Sequence, residues 1–307
     1  MIKYTFIAPF LAALLLSGCS SDESAIPGSG RLPVDATVPL VVESGTLDTE
    51  TVTRAVTALP DGQSIGIFLA GTDYTAVNNR QYTRTSSKWG PQGGVANTIY
   101  LGGATAQVCA YHPWTTGLNN SGAIPLTSQV FAADKDLSFD VNHDVDGSSA
   151  NKSVTFAMTR AYARLGFKLQ RSNYMGKGEV QKLEIKNLLA GATLNITDGV
   201  YSTKDGTTAV SVTQTKNVVV PTDESATIDW GEYLMIPCTP TGEGMVLTVT
   251  IDGKTMTTTV PKATYTPVKG EYKIITITVH GTAINATTVT TEDWPAAGSI
   301  GPVVPQP

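Results

Sequence analysis

From Thr37 to Val279 the chain is written in short runs of Val, Ile, Thr, Tyr and Phe that alternate with polar residues, broken at frequent intervals by Gly, Pro, Asn or Asp. Successive side chains of an extended strand point to opposite faces, so period two predicts β-strands with one face buried. The 3.6-residue period of an amphipathic helix is almost absent. The chain is therefore expected to be all-β.

The pattern predicts strands over 37–43, 64–70, 98–101, 107–111, 153–158, 163–170, 180–187, 192–196, 207–213, 225–229, 233–236, 246–251, 254–260 and 272–279. Asp252-Gly253 between the 246–251 and 254–260 runs is a strong two-residue hairpin signal. A chain of 307 residues suggests two domains. About fourteen strands then give about seven each, the usual size of a β-sandwich. The boundary is expected between Met158 and Ala163, giving an N-terminal domain over 37–160 and a C-terminal domain with an extended tail over 161–307.

The first residues set the compartment. Lys3 is followed by an apolar run from Phe6 to Leu16, shorter than a membrane-spanning helix and of the length of a secretory h-region. The run ends Leu16-Ser17-Gly18-Cys19, which resembles the lipobox of bacterial lipoproteins. That resemblance makes 1–18 a signal peptide and Cys19 the lipidated first residue of the mature chain, anchored in the outer membrane by acyl chains. Residues 19–36 read as a flexible tether. Its Asp22-Glu23 pair resembles the surface-export signal of Bacteroidetes lipoproteins.

Charge excludes one class of partner. The net charge of −5 repels phosphate backbones and leaves no basic stripe, so nucleic acid is not expected. With Cys19 lipidated, Cys109 and Cys238 remain, without the C-x-x-C spacing of zinc or redox sites; one disulfide or two buried thiols are both open.

Chemistry-bearing constellations are few. Asp140 to Gly147 alternates oxygen-bearing side chains and resembles the start of a calcium loop, with Asn142, Asp144 and Asp146 as its ligand candidates. Position twelve from Asn142 is Ser153 rather than a bidentate Glu, so a solvated turn is expected and no metal. His112, His143 and His280 are the only histidines, and none has a nucleophile-elbow or papain-like context. Cys109 lies near His112, but Tyr111-His112-Pro113-Trp114 reads as a strand end with packed aromatics. No cofactor and no enzymatic activity are expected.

The informative stretch precedes the first long strand. In an extended 37–43 segment Val38, Leu40 and Val42 share one face, while Pro39 has no N–H for a ladder and suits only an edge. A polar, loop-like stretch follows from Ser44 to Thr53, and then Arg54-Ala55, a basic loop site open to a trypsin-like protease. A cut there detaches the lipidated edge strand, making 37–54 a removable strand and cleavage loop.

In this order the residues resemble a family. Lipobox, Val-rich strand, Thr53-Arg54-Ala55 and Asp61-Gly62-Gln63-Ser64-Ile65-Gly66-Ile67-Phe68 resemble the fimbrillins, the type V pilus subunits of Bacteroidetes. So do Phe156-Ala157-Met158-Thr159-Arg160-Ala161-Tyr162-Ala163-Arg164-Leu165, Lys269-Gly270-Glu271-Tyr272-Lys273-Ile274 and Glu292-Asp293-Trp294. Arg160 departs from the pattern, where the family often has histidine.

The resemblance implies two transthyretin-like sandwiches and a structural role in a cell-surface pilus supporting adhesion. It implies export as a lipoprotein, cleavage after Arg54 by an arginine-specific protease, and entry of a neighbouring subunit's C-terminal strand into the groove left by Val38, Leu40 and Val42. The partners would be other pilus subunits, in a homo- or hetero-polymer. Ile300, Val303 and Val304 are the donor candidates, with 284–289 as an alternative. A rival reading is an uncleaved surface adhesin that stacks glycan, or holds host protein, on exposed Trp89, Trp114, Tyr74 and Tyr82.

Overall fold

The computed structural model describes residues 36–48, 56–203, 209–239 and 243–294. Among them the regular structure is almost wholly strand. In chain order the first are β1 (Val38–Pro39), β2 (Val41–Asp48), β3 (Val56–Ala58), β4 (Ser64–Ala70), β5 (Val77–Thr85), β6 (Lys88–Pro91), β7 (Tyr100–Leu101) and β8 (Ala106–His112). Next come β9 (Ile124–Thr127), β10 (Gln129–Val130), β11 (Ser138–Val145), β12 (Ser153–Arg160), β13 (Ala163–Arg171), β14 (Glu179–Leu189), β15 (Gly191–Asn195) and β16 (Val200–Thr203). The last are β17 (Ala209–Val219), β18 (Ile228–Met235), β19 (Gly244–Ile251), β20 (Lys254–Pro261), β21 (Tyr272–Val279) and β22 (Ile284–Glu292).

Several elements differ from the sequence expectation. Ser44 to Asp48, read as loop, continues β2 and buries Leu47. The solvated turn expected over 140–147 is largely strand β11, whose central residues alternate outward and so look loop-like in sequence. The hairpin β5–β6 was hidden for the same reason: in Val77–Thr85 only Tyr82 is fully buried. The runs 225–229 and 233–236 merge into β18, which carries a bulge opposite Phe167 and Lys168.

One eight-stranded sheet, in the order β3-β2-β12-β11-β8-β4-β5-β6, is built wholly from residues before 161, and β1 pairs with β7 beside it. Together they enclose a core of Leu40, Val42, Leu47, Ile65, Ile67, Leu69, Val108, Phe156 and Met158 among others. A five-stranded sheet, β10-β18-β13-β21-β22, faces a four-stranded one, β17-β14-β19-β20, across a second core. There Leu165 and Phe167 of β13 meet Leu183 and Ile185 of β14 and Leu247 and Val249 of β19. Layered sheets closing apolar faces on each other are the β-sandwich solution to period-two sequence.

A third core joins the two ends. Strand β4 is buried on both faces, so Phe68 points away from the first core and packs with Tyr111, Phe139, Leu234, Tyr272 and Trp294. The three-stranded sheet β16-β15-β9 covers it, and β10 extends the five-stranded sheet through β18, so two short strands from before residue 160 pair with partners beyond it.

Candidate functional site

Strands β1 and β2 form one segment that changes sheets partway along; β2 lies second in its sheet, between β3 and β12, so among the described residues the expected edge is open only over Val41 to Ser44. Val38 lies opposite Leu101 and Pro39 opposite Tyr100. Leu40 N–H donates to the Ile99 carbonyl at 2.8 Å, and the next residue, Val41, donates to the Lys152 carbonyl at 2.9 Å. From there β2 runs parallel to β12, from Val41 opposite Ser153 to Leu47 opposite Met158. The register slips once, leaving Glu43 as the extra residue of a bulge, exposed, with its carboxylate accepting from Ser153 Oγ at 2.9 Å.

The side chains follow from that path. Leu40, Val42 and Leu47 are buried against Val154, Phe156 and Met158, while Val38 is half-buried and Pro39 exposed. Burying three aliphatic side chains stabilises by about 1.5–3 kcal/mol each, roughly 5–9 kcal/mol before ordering costs. Ladder hydrogen bonds add about 0.5–1.5 kcal/mol apiece.

The outer flank of β2 is only partly covered. β3 pairs with Thr46, Leu47 and Asp48, and Leu59 N–H reaches the Gly45 carbonyl at 3.0 Å. Among the described residues no strand pairs with that flank over Val41 to Ser44. At Gly45 the far end of the same sheet returns: a Cβ there would come within 2.9 Å of Trp89 Cζ2, so the indole of β6 rests on bare backbone of β2.

The other end of β12 is held by a charged and aromatic cluster that sequence reasoning did not assemble. Arg160, its last residue, is buried, pairs with the Asp136 carboxylate and lies 4.9 Å from the ring centre of Trp294. Arg164 pairs with Glu232 and sits 3.9 Å from the Phe131 ring, 4.9 Å from Tyr272 and 5.6 Å from Trp294. Tyr272 donates to Glu232 at 2.6 Å, and burial, then that carboxylate, push its hydroxyl pKa upward. The available signal was Arg160 and Arg164, two charges in an otherwise apolar junction, together with an isolated Trp294.

The remaining sequence candidates do not converge. Cys109 and Cys238 are both free. Burial, then Asp140, push the Cys109 thiol up to about 12, and burial lowers His112 to about 4, the reverse of an activated thiolate–imidazolium pair. Among the described residues no group of three His, Cys, Asp or Glu is placed to hold a metal. Asn142 donates to Gln107, Asp144 accepts from Gln107, and Asp146 is used by Ser148 and Asn151.

The aromatic platforms are corrected outright. Tyr74 and Tyr82 are buried, with the Tyr74 hydroxyl 2.8 Å from the Ala104 carbonyl and the Tyr82 hydroxyl accepting from Ile99 N–H at 3.1 Å. Trp89 packs on Gly45, and Trp114 is half-buried against the third core with Nε1 donating to the Asn79 carbonyl. Their aromatic faces serve packing, which period-two reading of single residues does not distinguish from display. Cys19, Arg54, Ala55, Ile300, Val303 and Val304 lie outside the described residues.

Fold and N-terminal segment together define an all-β, layered-sheet architecture whose β2 lies second in the eight-stranded sheet and is buried on one face only. The chain belongs to the fimbrillin-like family, whose model matches residues 53–294. A curated relative named "Putative fimbrium subunit Fim1C", from Bacteroides uniformis, is 28% identical over 267 residues, covering 82% of this chain and 81% of its own. A crystal structure of a "putative cell adhesion protein" from the same species superposes with a TM-score of 0.58 at 23% identity, covering 84% of this chain and 98% of that one. Another so described, from Bacteroides ovatus, gives a TM-score of 0.58 at 20% identity, covering 84% of this chain and 98% of that one.

Proposed function

We propose that the protein is a structural pilus subunit, exported as a lipoprotein through Cys19, cut after Arg54 and polymerised by donor-strand exchange. In this reading, two transthyretin-like sandwiches, 37–160 and 161–307, form one link of the filament on the outer membrane surface. The observation that carries the reading is the seat of residues 38–48. They complete the first core with Leu40, Val42 and Leu47, lie along β2 between β12 and β3 with the β3 flank open over Val41 to Ser44, and precede the cleavage site, so one cut severs the whole segment from the rest of the chain. The family model's match starts at residue 53, after β1 and β2.

The donor comes from the chain after Trp294, with Ile300, Val303 and Val304 as its apolar residues. Residues 284–289 are already used, because β22 pairs with β21 from Ile284 opposite Val279 to Glu292 opposite Tyr272. Acceptance of a strand by a vacated edge supplies main-chain hydrogen bonds for affinity and side-chain pockets for specificity. The test is Arg54→Ala on the surface of the producing cell. Wild type gives an SDS-resistant ladder and a mature form beginning at Ala55, while the variant stays monomeric; a ladder from the variant, or a mature wild type that keeps Cys19, rejects the proposal.

A further inference from the structure

We infer that the donor is the 301–305 run of a second copy of this chain, and that its prolines set the register, with Pro302 taking the place of Pro39. This rests on the assembly reading above.

Among the backbone donors of the resident segment, Leu40 N–H goes to Ile99 and Val41 N–H to Lys152. An occupant with proline at either place loses a ladder bond. Position 39 already carries proline, opposite Tyr100 and exposed. In a parallel ladder alternate residues turn their N–H to the partner strand, so with Val41 bonded to β12 the N–H of Val42 faces the flank that β3 leaves uncovered. The groove therefore admits proline at 39 and 42 and rejects it at 40 and 41.

The tail carries Pro302 and Pro305 at that spacing, within Ile300-Gly301-Pro302-Val303-Val304-Pro305-Gln306-Pro307. With Pro302 at position 39, Val303 brings an N–H to the Ile99 carbonyl and its side chain to the Leu40 pocket. Val304 brings its N–H to the Lys152 carbonyl, and Pro305 fills the Val42 pocket. Gln306 and Pro307 then meet the bulge at Glu43, where pairing with β12 already slips.

Other registers fail for stated reasons. A slip of one or two residues in either direction puts Pro302 or Pro305 at position 40 or 41. A slip of three towards the C-terminal end of β2 puts Pro305 at Gly45, where a Cβ comes within 2.9 Å of Trp89 Cζ2. A slip of three the other way puts Pro307 at position 41.

The experiment uses the full chain with Cys238→Ser and Tyr100→Cys, combined in turn with Ile300→Cys, Pro302→Cys or Val304→Cys and assembled after the Arg54 cut. Cross-strand neighbours lie within disulfide reach, so the intermolecular disulfide ladder is strongest with Pro302→Cys. Independently, Val303→Pro abolishes the ladder of the cut chain while Val303→Ile keeps it. A strongest cross-link at 300 or 304, or a Val303→Pro chain that assembles like wild type, overturns the register while leaving strand exchange standing. A cut wild type that stays monomeric overturns both.

Discussion

The indole of Trp89 lies against the backbone of Gly45, bringing strand β6 at one end of the eight-stranded sheet onto strand β2 near the other. No strand pairing joins the two, so the contact depends on a missing side chain. Gly45→Val drives a methyl group into the ring, and overpacking of this kind costs about 1–3 kcal/mol. Urea denaturation of the uncut chain should show that loss, and Trp89→Leu in the same chain should recover part of it. Equal losses in the two backgrounds would refute the contact.

Leu40 is buried at the turn from β7 to β12. Leu40→Ala removes buried methyl groups for about 2–5 kcal/mol in the uncut chain. The same substitution should leave unfolding of the cut chain unchanged, because residue 40 has left with its strand. An undiminished effect after cleavage would show that the segment stays bound.

Trp294 covers the two arginines at the end of β12 and the start of β13. Trp294→Ala is expected to cost about 3–5 kcal/mol in urea unfolding, and Trp294→Phe clearly less, since a ring still lies over Arg160. Equal losses for the two would show that a ring retained over Arg160 contributes nothing.

His112 supplies a pH dependence. Burial, which outweighs the Ser64 carbonyl 3.1 Å from Nδ1, lowers its pKa from 6.5 to about 4, with Arg160 acting in the same direction as burial. The folded state therefore binds fewer protons than the unfolded state between those values. Its stabilising share is complete above about 6.5 and is lost as pH falls towards 4, roughly 3 kcal/mol in all. Between pH 7.5 and 4 wild type should lose more stability than His112→Gln, compared by urea unfolding; parallel losses would contradict the assignment.

Much of the fold was legible because period two is a local property. The 64–70 run, the Asp252-Gly253 hairpin and the paired runs around it lie where alternation placed them. Strands with polar outward faces, such as β5 and β11, escaped because their few inward residues look like isolated hydrophobics in a loop. The edge segment was legible through Val38, Leu40, Val42 and Pro39, but its length was not: Ser44, Gly45 and Thr46 carry no apolar signal and are strand only because β12 and Trp89 lie beside them.

The amino-acid order alone determined an all-β chain, the likeness to fimbrillins and the apolar alternation of its first strand, since each depends on neighbours along the chain. Tertiary structure alone decided that this strand changes sheets between Leu40 and Val41, that Arg160 and Arg164 lie under Trp294, and that Tyr74 and Tyr82 face inward. Those outcomes depend on which distant residues share a pocket or a ladder, and pairing over tens to more than a hundred positions leaves no mark on local spacing.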